Sequence, residues 1–519
     1  MVLRILVADR GLMAIRVART LRDNEITPVG IYTPDDRDLP HRKYLAEDVE
    51  ISDYNNIKEI ISAALELGVD GIHPGYNLIG ERSDFAQEVV RKGLVYIGPS
   101  PEVLSILRDK IAFKIYAEKL DIPTLPWAEV RKPIEVLEFA ETHGYPVVIK
   151  PASGSRRLGV KVARDESDVE RVFNEAKDIS EKYFRDSRLY VEPFLEKVKH
   201  LEIQVIGDED NTVHFYDREC LVTPGFQKII EEAPSPSITS NIREKLFEYS
   251  IMIAKSLRLK NTIVVEYILD QTANKLYFVE ANPGLSLEHT VSEMITRKDI
   301  VKKQLEVALY STLDLKQEDI VVDGHAISVK VFNEDPISNR SVSGVINRYY
   351  EPSGVGVRVD SGVGTASVIS EKIDQPISKI TVWGSNRNVS INRLRRALSE
   401  YVIDGVATNI SLLQLILDKQ WFTEGNYTFR SLLDDYQVLI NQLVESFKLH
   451  AIVISALYEF DNKKVQRFSE KSSILKDILH GERASSIKRH AWYYYISLKG
   501  MLERHYTSRK HDKRRETRK

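Results

Sequence analysis

Two lysines and three oxygen-bearing side chains are the residues of this chain whose types and spacing suggest chemistry. Asp109 and Lys110 are adjacent at the end of one unit, and Lys150 closes a strand just before a loop of small residues. An ammonium is a compact charge that reaches phosphate oxygens, and a strand end fixes where it sits. Taken singly, each lysine reads more readily as a solvated surface charge. Glu266, Glu280 and Asn282 supply hard oxygen ligands of the kind magnesium takes when it also bridges phosphates. Separately, they read as the polar edge of a strand pair. In the loop Pro151-Ala152-Ser153-Gly154-Ser155-Arg156-Arg157-Leu158-Gly159, the glycines Gly154 and Gly159 would let backbone amides approach a phosphate. Arg156 and Arg157 either add charge there or are solvated, with solvation slightly favoured.

Strands and helices must carry these residues. The sequence predicts a strand at Arg4–Ala8, a helix at Leu12–Leu21, a strand at Thr27–Tyr32, a helix at Ile57–Leu67 and short strands at Gly71–His73 and Leu94–Gly98. That is the βαβ pattern of an open parallel sheet. Only Gly11 stands in its first turn, so the spaced glycines of a dinucleotide site are missing and NAD is rejected. Helices follow over about Glu102–Leu120, and Pro123 and Pro126 mark the passage to a second unit. That unit contains strands Pro146–Lys150 and Val160–Ala163, the helix Glu166–Ile179, and Leu189–Phe194 as strand then linker. Further strands are expected at Leu201–Gly207, Val213–Tyr216, Thr262–Ile268 and Leu276–Asn282, the last two forming a hairpin through Leu269–Lys275. Strict alternation puts Phe278, Glu280 and Asn282 on one face, with Glu266 on a face of the neighbouring strand. More strands and the helix Val389–Leu398 occupy Asp323 to about Phe422, and beyond Thr428 the apolar spacing turns helical.

Bulk properties narrow the function class. A chain of 519 residues, 43% hydrophobic and 29% charged, supports three or four domains. Its 73 basic and 76 acidic residues leave a net charge of −3, which gives no reason to expect nucleic acid as a partner. Cys220 is the single cysteine, which fits a reducing compartment. With no apolar run of membrane-spanning length, the expectation is a soluble cytoplasmic protein without a membrane partner. The end, Arg504–Lys519, has eight basic and two acidic residues and reads as a disordered solubilising tail.

Taken in order, several motifs resemble the biotin carboxylase family. Ile72-His73-Pro74-Gly75-Tyr76 with Glu81, Ile97-Gly98-Pro99-Ser100-Pro101 and Asp109-Lys110 are similar to its N-terminal domain. Tyr145-Pro146-Val147-Val148-Ile149-Lys150, His200-Leu201-Glu202-Ile203-Gln204-Val205 and Gln227-Lys228-Ile229-Ile230-Glu231-Glu232-Ala233-Pro234-Ser235-Pro236 resemble its ATP-grasp core. Asp335-Pro336, Gly356-Val357-Arg358-Val359-Asp360-Ser361-Gly362 and Gly405 with Thr408-Asn409 resemble its C-terminal domain. The similarity covers about residues 1–425 and implies a multidomain α/β and α+β chain. Its parts are an N-terminal domain at 1–115 and an ATP-grasp domain at 116–320 with a mobile lid at about 132–198. A C-terminal domain at 321–428, a helical extension at 429–503 and the tail 504–519 complete it.

The resemblance implies roles. Lys110 and Lys150 contact the phosphates of ATP, Glu192 and Leu195 line the adenine hinge, and His200 lies near the ribose and phosphates. Glu266, Glu280 and Asn282 hold Mg2+ or Mn2+, Lys228 sits beside bicarbonate, Glu288 is its base, and Lys330 takes the place of an arginine that faces biotin. The implied route runs through carboxyphosphate and carbon dioxide to N-carboxybiotin. No Met-Lys biotinylation motif occurs, so biotin must arrive on a biotin carboxyl carrier protein, with a carboxyltransferase subunit as a further partner. The carboxylase itself is expected as a homodimer.

Departures from the family pattern cluster on the reaction centre. An arginine that clamps bicarbonate is Gly284, a histidine is Phe226, and a glutamine is Thr223. The glycine run over the phosphates is broken by Ser155, Arg156, Arg157 and Leu158, and an opening Asn-Arg-Gly-Glu is Asp9-Arg10-Gly11-Leu12. A catalytically degenerate regulatory or structural homologue, or a ligase for another carboxylic acid, are the alternatives these changes raise.

Overall fold

The computed structural model describes residues 2–154, 158–223, 226–371 and 375–461. Expectations for Ser155, Arg156, Arg157 and everything beyond residue 461, the tail included, lie outside the described residues.

The expected parallel sheet opens the chain. Strands β1 (Arg4–Val7), β2 (Thr27–Tyr32), β3 (Asp48–Glu50), β4 (Gly71–His73) and β5 (Val95–Tyr96) lie in the order β3-β2-β1-β4-β5, all parallel. Such a sheet is buried on both faces, which is why β1 is continuously apolar after Arg4. Ile5 and Val7 cluster with Met13, Val17 and Leu21 of helix Gly11–Asp23, while Leu6 clusters with Ile60, Ala64 and Phe85. Strand β3 and the helix Ser83–Arg91 are additions to the expected set. Both are rich in charge, and only Phe85, Ala86 and Val89 of that helix are buried.

Helices Pro101–Arg108 and Lys110–Glu118 meet at Asp109. Its backbone leaves the helical region and its carboxylate accepts from the Ala112 amide at 2.9 Å, an N-cap that starts the second helix with Lys110. A four-stranded antiparallel sheet follows, β6 (Ala128–Val130), β7 (Val147–Pro151), β8 (Lys161–Ala163) and β9 (Leu189–Pro193), in the order β6-β9-β7-β8. Phe139 and Phe173, from helices Pro133–His143 and Glu166–Phe184, fill its core with Ile149 and Val191.

The largest sheet is antiparallel. It contains β10 (Val198–Asp208), β11 (Thr212–Val222), β12 (Lys228–Ala233), β13 (Lys260–Asp270), β14 (Lys275–Pro283) and β15 (His325–Val331). Their order is β14-β13-β10-β11-β12-β15, continued by Ser378–Gly384 and Val357–Ser361, so strands from both sides of residue 320 share one sheet. Ile242, Leu246 and Ile253 of helix Ser240–Ser256 cluster with Leu201, Ile203 and Val265 on one face.

The hairpin β13–β14 forms as expected, but strict alternation along β14 fails. Glu266 pairs with Glu280 and Tyr267 with Phe278, so Val279 is an extra residue, a β-bulge. The bulge turns Phe278 into the core, edge-on to Tyr267 at 6.1 Å and Phe113 at 5.5 Å, away from Glu280 and Asn282.

Residues up to Tyr436 form one compact unit. In the unit that begins at Gln437, the described residues 437–461 are helical. Among the described residues no helix is long and apolar enough to cross a membrane.

Candidate active site

At one end of a cavity, β13 and β14 bring Glu266 and Glu280 face to face, with Asn282 two residues on. An amide between two carboxylates must turn its NH2 to them, and Asn282 Nδ2 donates to Glu266 Oε1 at 2.8 Å and Glu280 Oε1 at 3.2 Å. Lys110 donates to Glu280 Oε2 at 2.5 Å. Lys228, the first residue of β12, bridges Glu202 at 2.5 Å and Glu266 Oε1 at 2.7 Å. His200 Nε2 lies 2.9 Å from Glu266 Oε2. Burial opposes the charge on Glu280, but the Lys110 ammonium outweighs it and holds the carboxyl far below its ordinary range. Burial likewise works against the Lys228 ammonium, and Glu202 and Glu266 overcome it, leaving the lysine firmly protonated. Two carboxylates and an amide suit a hard divalent cation such as Mg2+. Cys220 and Glu202 stand beside His200 with ligand atoms all within 4.8 Å. Burial raises the Cys220 thiol well above its ordinary range, so it is a neutral neighbour.

Lys150 reaches the cavity from the smaller sheet. Its ammonium lies 2.6 Å from Glu192 Oε2 on β9, and Lys114 pairs with the other oxygen of the same carboxylate. Glu192 is 3% exposed. Burial alone would raise its pKa, yet the two ammonium groups bring it down to about 2. Gly154 and Gly159 stand off the cavity wall. A Cβ on Gly154 would come within 2.6 Å of the Phe184 ring, and one on Gly159 within 2.7 Å of Pro151, so both serve close packing here.

The opposite end is built from Glu288, just before helix His289–Thr296, and Lys330 on β15, which are in direct contact. Burial works against the Glu288 charge, and Lys330, Lys228 and Arg218 together hold the carboxyl well below its ordinary range. Arg218 donates to Glu202 at 2.6 Å and to Ser286 Oγ at 2.8 Å. Gly284 has φ +81°, and no heavy atom lies within 4 Å of where its Cβ would stand, so open space faces the cavity there. Nearby, the turn carrying Tyr76 is pinned by Asp9, whose carboxylate accepts from the Tyr76 amide at 2.7 Å. Only a glycine fits at position 75, where a Cβ would meet that carboxylate at 2.3 Å. Burial raises the Asp9 carboxyl to about 6.

A third side of the cavity is aromatic. Phe226, at φ +61°, sits in a loop closed by the Thr223 and Gln227 backbones at 2.9 Å and by Phe226 N donating to Thr223 O at 2.8 Å. Its ring stacks on Phe429 at 5.6 Å and meets Phe194 edge-on at 6.1 Å. Phe194 also meets Phe429 edge-on at 5.7 Å. Glu196, two residues past Phe194, pairs with Arg164 at 3.2 Å and with Arg430, whose backbone N donates to Glu196 O at 3.0 Å. Buried Lys199 donates to Glu219 and to the Tyr427 carbonyl, both at 2.8 Å. Tyr427 in turn donates to Glu232 at 2.8 Å. The sequence reading missed Tyr427 and Phe429, because they straddle the expected boundary at residue 428 and belong to none of the family-like motifs. It also missed Lys114 and Arg218, which lie on regular elements with no motif of their own.

Apart from Gly154 and Gly159, every described residue given a nucleotide, metal or catalytic role from the sequence lines this one cavity, whose volume is about 310 Å³. Family comparison agrees with the geometry. Residues 1–104 match the biotin carboxylase N-terminal domain, 109–316 the ATP-binding domain of the carbamoyl-phosphate synthase L chain, and 328–434 the biotin carboxylase C-terminal domain. The chain is 36% identical over 432 residues to a pyruvate carboxylase subunit of Methanothermobacter thermautotrophicus, covering 81% of this chain and 88% of that one. It is 35% identical over 433 residues to a biotin carboxylase of Nostoc sp., covering 82% and 97%. Among solved structures it is similar to the biotin carboxylase domain dimer of the Hydrogenobacter thermophilus 2-oxoglutarate carboxylase, in complex with MgADP, ADP and bicarbonate. The TM-score is 0.81 at 34% identity, covering 84% of this chain and 98% of that one. A Campylobacter jejuni biotin carboxylase in complex with a β,γ-ATP compound gives a TM-score of 0.80 at 30% identity, covering 84% and 99%.

Proposed function

The chain belongs to the biotin carboxylase family, and from that premise we propose that it carboxylates biotin on a separate carrier protein, using ATP and bicarbonate. It acts in this reading as a cytoplasmic homodimer within a biotin-dependent carboxylase, with a carrier protein and a carboxyltransferase as partners. The division at residues 115, 320 and 428, with a lid at about 132–198, is part of the same proposal. One observation carries it: phosphate-type lysines, metal-type carboxylates and a base and ammonium pair, distant in the chain, line a single cavity.

Glu266, Glu280 and Asn282 would hold Mg2+ or Mn2+, which when bound neutralises phosphate charge. Lys110 and Lys150 bind the phosphates, and Leu195 with the Glu192 segment borders the base. Lys228 holds bicarbonate, and Glu288 accepts the bicarbonate proton once Lys330 has moved off its carboxylate, since a carboxyl held so far below its ordinary range is otherwise a weak base. The bicarbonate oxygen then attacks the γ-phosphorus and ADP leaves. Carboxyphosphate breaks down to phosphate and carbon dioxide; the phosphate takes the proton of the biotin ureido nitrogen, and that nitrogen adds to the carbon dioxide beside Lys330. ADP release should depend on bicarbonate and rise with free biotin in the presence of Mg2+. Absence of bicarbonate-dependent release above background overturns this reading.

A second reading has one observation in its favour. Gly284 presents open space where the family places a guanidinium, and Lys330 is already engaged by Glu288. A preorganised donor is worth about a hundredfold to a thousandfold in rate. This reading is a homologue that keeps the nucleotide end and has lost carboxylation, and it expects MgADP binding without turnover.

A further inference from the structure

We infer that metal and nucleotide enter this site by exchange: Lys110, Lys228 and His200, with the Asn282 amide, hold Glu280 and Glu266 until a divalent cation takes them over. Displaced Lys110 then turns to the phosphates, while Lys228 keeps its pairing with Glu202. The inference rests on the nucleotide-binding part of the reading above and on nothing in its carboxylation chemistry.

The carboxylate oxygens are fully engaged. Glu266 Oε1 accepts from Asn282 and Lys228, and Glu266 Oε2 faces His200. Glu280 Oε1 accepts from Asn282, and Glu280 Oε2 accepts from Lys110. Like charges opposite each other on paired strands repel, so this cross-strand pair of carboxylates needs the cations to be stable. A divalent ion supplies the same two charges. On its own, however, it strands Lys110 and Lys228 in a half-buried wall with fewer partners, a costly arrangement. Nucleotide on its own meets lysines already engaged. Only the two together satisfy every group. Asn282 must also rotate its amide to offer Oδ1, because the NH2 now points at both carboxylates. His200 becomes a positioning residue that keeps Glu266 aimed at the metal.

Binding of Mn2+ without nucleotide, read from the loss of the free-ion electron paramagnetic resonance signal, tests this in the full chain. Lys110→Met and Lys228→Met should each bind Mn2+ alone roughly tenfold more tightly than wild type, the equivalent of one charge-assisted hydrogen bond removed from the ligands. Lys110→Met should also bind ADP, by calorimetry with Mg2+ present, about tenfold more weakly for the same reason. Opposite signs are the signature, since damage to the fold lowers both affinities. A melting curve on each variant identifies which one reports on a folded site, and Lys110→Gln replaces Lys110→Met if that variant unfolds. Wild type that binds MgADP, with no gain of Mn2+ affinity in any folded variant, overturns the exchange alone. Wild type that binds neither Mn2+ nor MgADP overturns the nucleotide reading beneath it.

Discussion

The two ends of the cavity are built on one sheet and differ in how complete they are. Around Glu266 and Glu280, each carboxylate oxygen has a donor and each lysine a partner. Around Glu288, the ion pair with Lys330 stands beside the opening at Gly284. Both ends are electrically compensated, so both can be folded and stable. Among the described residues, the first gathers Lys110, Lys228, Glu266, Glu280 and Asn282, while the second has open space at Gly284. Stability and competence are thus separable here, and the fold persists whether or not the acid end turns over.

That contrast can be broken most decisively at Glu288. Glu288→Gln should lower bicarbonate-dependent ADP release by about 10²–10⁴-fold, the range for losing a general base. ADP affinity measured by calorimetry should hardly move, and an equal fall in both would erase the distinction between the ends. Gly284→Arg sharpens it from the other side. Turnover should rise by about a hundredfold to a thousandfold. A melting curve should meanwhile register roughly 1–2 kcal/mol of strain from a side chain at positive φ. Silence after this change favours the degenerate homologue.

Acidity probes the nucleotide end. The folded pKa of Glu192 lies at about 2, below an ordinary value of 4.5, so the stability it contributes is fully present above pH 4.5 and disappears as pH falls toward 2. The shift corresponds to roughly 3 kcal/mol. Urea unfolding across that window should be steeper in pH for wild type than for Glu192→Gln, and identical slopes would remove the Lys150 and Lys114 pairing from the account. The smallest effect belongs to the aromatic wall. Phe226→Ala should weaken ADP binding by no more than about tenfold, as expected for losing an aromatic contact of about 1 kcal/mol. A larger loss would move Phe226 from border to centre.

Motif residues were the legible part of the site, because chemistry restricts their types. The parallel sheet was legible because β1 is apolar on both faces, and the β13–β14 hairpin because a turn-rich link joins two strand-like runs. The bulge at Val279 was not, since one extra residue leaves no trace in hydrophobic periodicity, and it misdirected Phe278. Ion pairing was also hidden. Lys114 and Glu192 lie far apart in sequence, and nothing local announces that they meet. The cap at Asp109 was within reach, since aspartate ahead of an apolar helical run is an N-terminal signal. The helix Ser83–Arg91 escaped because charge masks its three buried residues.

The joint between Glu196 and Arg430, with Phe429 seated between Phe194 and Phe226, bears on how the protein can be shortened. A version cut at residue 426, inside the stretch that matches the biotin carboxylase C-terminal domain, would lose Tyr427 and Phe429 from the wall and leave buried Lys199 without its carbonyl. The smallest useful truncation must therefore retain Arg430, and a stop placed before it would make a sound nucleotide pocket look inert.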